Sequence, residues 1–172
     1  MNDDIARAVR SLTASAGAIR SLVIDLDAEE ARWRPASDQW SILEVVNHLA
    51  DEEVEDFRAR LDMLIHRPAE PFTPIDPQGW VTGRLYAERD LGPSLDRFLG
   101  ERERSLEWLR GLAEPDLEHG RDHPYAGKLT ARVLLASWVA HDLLHVRQIT
   151  RRRYEFLASQ VAPLSLAYAG TW

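Results

Sequence analysis

His141-Asp142-Leu143-Leu144-His145 sets two imidazoles four residues apart inside a long apolar-periodic run, and that spacing makes a metal chelate. An α-helix turns about 100° per residue, so positions i and i+4 lie about 40° apart around the axis and roughly 6 Å along it. Both rings can therefore reach one ion. A third imidazole, His48, sits in a second helical run, Asn47-His48-Leu49-Ala50-Asp51-Glu52-Glu53. Three neutral imidazoles from two packed helices leave a divalent ion with an open position for water or substrate, the layout of a reactive centre and not of a closed structural one.

Helical-wheel positions support a site at the rim of a core. With His141 as origin, Leu134, Trp138, His145 and Ile149 fall between about 20° and 80°, so the pair borders a buried stripe. His48 shares an edge with Val45 and Glu52. Asp142 falls among Leu135, Trp138 and Ile149, where an unpaired carboxylate costs several kcal/mol and so needs a partner. Two are open to it: the ring N–H of a ligating histidine, whose tautomer it would fix, or one of the many arginines. Asp142 and Glu52, the latter within reach of the ion or its water, are the candidates for a direct chemical role. His66 at a helix end and His119 and His123 in a loop read as structural.

Four long helical patterns position these residues. The first runs from about Asp4 to Leu26, with Ile5, Ala8, Val9, Leu12, Ala16, Ile19 and Val23 at helical spacing. The second opens on Ser41-Ile42-Leu43-Glu44, a capping box with Trp40 and Val45 as a hydrophobic staple, and continues to about His66. Pro68, Pro71, Pro74 and Pro77 then oppose regular helix over a crossover of roughly two dozen residues, long enough to suggest that it covers something. The third pattern, marked by Leu95, Phe98, Leu99, Leu106 and Leu109, stops near Gly111. The fourth starts after Thr130, a good N-cap, and runs to about Arg153. The apolar tail from Phe156 to Trp172 is expected to strap across the bundle. An all-α four-helix bundle forming one domain over residues 1–172 is the economical fold.

Composition narrows the function. With 172 residues, 45% of them hydrophobic, the chain buries a sizeable core without staples. It has no cysteine, which excludes disulfides, thiolate metal sites and a protein-borne sulfur nucleophile; thiol chemistry would need a small-molecule thiol. A net charge of −7, with Arg151-Arg152-Arg153 as the one basic run, gives no footprint for nucleic acid. Met1-Asn2-Asp3-Asp4 lacks an apolar signal core and no apolar stretch is long enough to span a bilayer, so a cytoplasmic protein without a membrane partner is expected.

Three phrases, Trp40-Ser41-Ile42-Leu43-Glu44-Val45-Val46-Asn47-His48-Leu49-Ala50-Asp51-Glu52-Glu53, the stretch from His123 to Thr130, and His141-Asp142-Leu143-Leu144-His145-Val146-Arg147-Gln148-Ile149, resemble the DinB-like family, the DinB/YfiT-like metalloenzymes. The likeness runs over nearly the whole chain, including the closing Tyr168-Ala169-Gly170-Thr171-Trp172. It implies a four-helix bundle with a metal triad, here His48, His141 and His145, and a homodimer. Families related to it include transferases and isomerases that use bacillithiol, mycothiol or similar low-molecular-weight thiols.

Three functions remain open on this reading. The ion could activate a small thiol or water for transfer to an electrophilic small molecule, by lowering the pKa of the nucleophile and fixing its place. It could serve a non-catalytic, structural bundle. Or His-Asp-x-x-His could imitate the His-Glu-x-x-His of zincin-like hydrolases. Zinc or nickel is the expected metal, although imidazole also suits copper, cobalt and iron.

Overall fold

The computed structural model describes residues 2–123 and 127–170. Pro124, Tyr125 and Ala126 of the second family-like phrase, and Thr171 and Trp172 of the tail, lie outside the described residues. Helix α1 spans Asp3–Val23, with the Asn2 side chain accepting from Asp4 N at its start. The short helix α2, Ala28–Arg32, is capped by Asp27. The second long pattern is realised in three pieces: α3 Ile42–Glu52, a wide π turn Glu53–Phe57, and α4 Arg58–His66.

The crossover is more ordered than its prolines suggest. Asp76 caps a helix α5, Pro77–Gly83, whose proline falls in the first turn, where no backbone N–H is needed. A 3₁₀ turn, Tyr86–Glu88, follows. Helix α6 then runs from Leu91 to Gly111, one turn earlier than the apolar pattern indicates. The expected loop around His119–Pro124 contains a two-stranded antiparallel hairpin, β1 Gly120–His123 and β2 Gly127–Thr130, with Gly120 opposite Thr130. Gly120 is required there: a Cβ would stand 2.7 Å from the Leu129 carbonyl oxygen.

Helix α7 spans Ala131–Val161, two turns beyond the expected end at Arg153, because no proline or glycine interrupts it before Pro163. The first part of the expected strap is therefore helix, with Phe156 meeting Trp33 edge to face at 5.8 Å. The described remainder leaves Leu164 and Tyr168 exposed instead of covering the bundle.

Helix α1 packs on α6 and α7, and α3 packs mainly on α6 and also on α7, giving the four-helix bundle. Two apolar clusters fill it. One gathers Ile5, Leu12, Phe57, Leu61, Leu106 and Trp138; the other gathers Ile19, Val45, Leu49, Leu95, Phe98 and Ile149. Every residue of α3 is buried, polar ones included, because the crossover covers its outer face. Asp51 there accepts from Tyr86 Oη, Arg97 and Arg84, and Asn47 accepts from Arg89 at 2.9 Å. Those donors hold the Asp51 carboxyl below its ordinary pKa despite burial. No helix among the described residues is long and apolar enough to cross a membrane.

Candidate metal centre

Two caps set the histidines in register. Glu44 Oε2 accepts from Ser41 N at 2.8 Å while Ser41 Oγ accepts from Glu44 N at 3.3 Å, and Arg34 pairs with the same glutamate. This box fixes the start of α3 and places His48 one turn beyond Glu44. On α7, Thr130 Oγ1 accepts from Val133 N at 3.2 Å, and His141 and His145 follow as turn neighbours.

The three rings converge through one kind of atom. His141 Nε2 lies 3.3 Å from His48 Nε2 and 3.1 Å from His145 Nε2. Ligand atoms of all three fall within 4.8 Å of one another. An ion bound tetrahedrally at about 2.0–2.1 Å from each nitrogen needs nitrogen pairs about 3.3–3.4 Å apart, so the two close pairs match a shared ion within a few tenths of an ångström.

Protonation favours ligation as well. Burial first, then the neighbouring His145, lowers the pKa of His48 to about 3. Burial, with His145, His48 and Arg102, lowers that of His141 to about 2. Burial lowers His145 too, partly opposed by Gln148. The rings are thus neutral at physiological pH, with lone pairs available to a cation. Gln148 Oε1 sits 2.8 Å from His145 Nδ1; an amide oxygen only accepts, so the proton belongs on Nδ1 and the Nε2 lone pair faces the cluster. Apolar walls surround the rings. Trp40 packs on His48 at 4.9 Å, and Phe57 lies 5.0 Å from His141 while stacking on Trp138.

Of the two partners open to Asp142, the structure provides the arginine. Arg102 donates to both of its oxygens, at 2.6 and 2.9 Å, and also to Glu53 Oε1 at 2.6 Å and the Leu12 carbonyl at 3.0 Å. Trp138 Nε1 donates to the same Glu53 oxygen at 2.8 Å. The Asp142 carboxylate thus belongs to a buried ion cluster shared by the wide turn, α6 and α7. Glu52 lies on the far side of the His48 ring from Nε2, with Oε1 3.8 Å from Nδ1. Burial, then Asp56, pushes its carboxyl pKa up to about 9.

The remaining histidines stand apart from the triad. His66 is 3.8 Å from Asp62 and His119 is 3.5 Å from Asp116, both substantially exposed. Trp80 of the crossover lies under the Arg84 guanidinium at 4.2 Å, and Arg84 binds Asp51 and Glu55. Gln148, Glu53 and Arg102 were not singled out by sequence. Gln148 had a local signal, a polar side chain three residues after a ligand histidine; Arg102, forty residues from Asp142, had none.

A model of the DinB superfamily matches residues 11–149. The chain is 28% identical over 141 residues to a protein of Oceanobacillus iheyensis provisionally named a metal-dependent hydrolase, covering 78% of this chain and 79% of that one. Its fold is similar to that of YfiT from Bacillus subtilis, described as "a probable metal-dependent hydrolase with an unusual four-helix bundle topology", with a TM-score of 0.78 at 19% identity, covering 91% of this chain and 90% of the other.

Proposed function

This chain belongs to the DinB superfamily, and from that premise we propose that it is a metal-dependent enzyme acting on a small molecule, its divalent ion held by His48, His141 and His145. The observation that carries the reading is the convergence of three neutral imidazole nitrogens at the spacing of a shared ion. When bound, the ion supplies Lewis acidity, acidifying a nucleophile at its open position and fixing where it sits. The chain's own residues do the rest. Gln148 keeps the His145 proton away from the cluster, and Trp40 and Phe57 exclude water from the rings, which strengthens every electrostatic interaction there.

Water is the first nucleophile in this proposal, in keeping with the hydrolase names of the two similar proteins. Asp142 is not free to act as its base, since both oxygens bind Arg102. A low-molecular-weight thiol is the second, because a chain without cysteine would have to take its thiolate from solution, and the expected cytoplasmic setting keeps such thiols reduced. Zinc and nickel are the metals proposed. We also propose a homodimer, supported by Leu143 and Leu144, 60% and 53% exposed on α7 beside the histidines.

Native mass spectrometry of protein purified without a metal-affinity tag tests the centre. Wild type, His66→Ala and His119→Ala should carry about one ion per chain, and His48→Ala, His141→Ala and His145→Ala far less. Equal metal in all would refute the assignment. Ester and amide hydrolysis, set against conjugation of a thiol panel to a chlorinated aromatic, then separates the nucleophiles. Full occupancy without turnover in either assay would point to a structural ion.

A further inference from the structure

Behind the His48 ring lies a pair of buried polar atoms with no partner of their own. His48 Nδ1 and Glu52 Oε1 are both inaccessible to solvent, and neither has a hydrogen-bond partner among the described residues. They face each other at 3.8 Å, about an ångström beyond bonding distance, from positions i and i+4 of one helix. Nε2 of His48 is turned toward His141 on the other side of the ring. A ligating imidazole with its lone pair on Nε2 carries its proton on Nδ1, and that proton needs an acceptor. Glu52 is the acceptor within reach.

We propose that Glu52 is the positioning residue of the centre, accepting the His48 Nδ1 proton so that Nε2 is held toward the ion. The inference rests on the reading of the triad as metal ligands and adds to it the residue that sets the pose and strength of one ligand. The other helix already shows the same device completed: His145 Nδ1 has Gln148 Oε1 at 2.8 Å, from position i+3. An amide oxygen and a carboxyl oxygen serve alike here, each orienting its histidine by accepting the ring proton. Glu52 is backed by a row along the same helix face. Asp56 lies against it, Arg60 Nε stands 2.9 Å from Asp56 Oδ1, and the Arg60 guanidinium lies over Phe72 at 5.0 Å.

The test uses Zn²⁺, measured by competition with a chromophoric chelator, on wild type, Glu52→Gln and Glu52→Ala. Removal of such an acceptor typically weakens metal binding about 10–100-fold, the loss expected for Glu52→Ala. Glu52→Gln, which keeps an acceptor oxygen, should recover part of it. Proton–nitrogen NMR of histidine-labelled, zinc-loaded protein supplies a reading that packing alone would not move. The His48 Nδ1–H resonance should be far downfield in wild type, shifted upfield in Glu52→Gln and lost to exchange in Glu52→Ala, with His145 Nδ1–H unchanged in all three. Should Glu52→Ala fail to fold, the near-isosteric Glu52→Gln carries both readings. Zinc affinities within twofold of wild type, or an unaltered His48 resonance, would overturn the role of Glu52 while leaving the triad standing. A wild type that takes up no zinc would overturn both.

Discussion

Arg102→Met is the most informative single change to the fold, because it removes a cation from the middle of the bundle and little else. Arg102 is 1% exposed and Asp142 0%, and Glu53 is likewise buried. The methionine keeps most of the aliphatic stem, so the loss falls on the contacts to Asp142 at 2.6 and 2.9 Å and to Glu53 at 2.6 Å. Breaking a buried ion pair from one side costs about 3–5 kcal/mol, and here two carboxylates are stranded together. In a chain of this size each kcal/mol moves the melting temperature by about 2–4 °C, so the expected fall is about 6–20 °C. The pH dependence has a definite sign. Without Arg102 the Asp142 carboxyl, which burial already pushes up, titrates in the folded protein above its unfolded value of about 4, so the folded state holds a proton that the unfolded state has released, and stability declines as pH rises past 4. The loss should therefore be larger at pH 8 than at pH 5.5, as read by circular dichroism melts and calorimetry on metal-free protein. Adding Asp142→Asn should restore part of it, chiefly at pH 8. A loss below about 1 kcal/mol, equal at both pH values, would show that the cluster is not an obligate charge balance and would refute the reasoning.

Metal should couple α3 to α7: an ion present at about a thousand times its dissociation constant adds roughly 4 kcal/mol, so chelation should lower the wild-type melting temperature by about 8–16 °C and leave the triple-alanine variant of the triad unmoved. In metal-free protein the His48 and His141 pKa values, lowered from 6.5 to about 3 and about 2, mean that the folded state binds fewer protons than the unfolded state below pH 6.5. Stability should therefore fall on acidification from pH 6.5 toward pH 3, with a slope of up to about 1.4 kcal/mol per pH unit for each ring, and denaturant titrations should show a shallower fall for the triple-alanine variant. If α7 carries the dimer contact, Leu143→Glu with Leu144→Glu should halve the mass measured by sedimentation equilibrium while retaining the wild-type melting temperature at low protein concentration.

The parts of this architecture legible in sequence are those written in local code. The capping box at Ser41–Glu44 and the i, i+4 spacing of His141 and His145 depend on residues a turn apart, and both gave correct local geometry. Asp142 shows where local code ends. Its burial followed from the helical wheel, but its partner comes from another helix and the choice between histidine and arginine needed the packing. The wide turn left no readable trace, since Glu53–Phe57 has ordinary helix formers and its extra residue is accommodated by tertiary contacts of Glu53 and Phe57. The hairpin and α5 were hidden by glycine and proline, which weaken propensity without forbidding structure where a strand needs close approach or a helix needs only a first turn.

The π turn makes the second long helix a splice of two reading frames. A turn closed by i→i+5 bonds holds one residue more than its α counterpart, so it acts as a one-residue insertion absorbed without a loop. Residues 42–52 and 58–66 are each in phase with the core, but not with one another along an unbroken α-helix. Closing the turn into α-helix with all its residues kept would rotate the nine residues of α4 by about 100° relative to His48, taking Leu61 and Leu64 out of the core, whereas losing one codon between 53 and 57 as the turn closes would leave both halves facing it. Lineages can therefore gain or shed that codon without rewriting the apolar spacing downstream, provided the turn opens or closes with it. A relative whose corresponding helix is unbroken must align to this chain with a one-residue gap between His48 and Leu61, and a designer straightening this helix must remove one residue from 53–57 to keep both halves on the core.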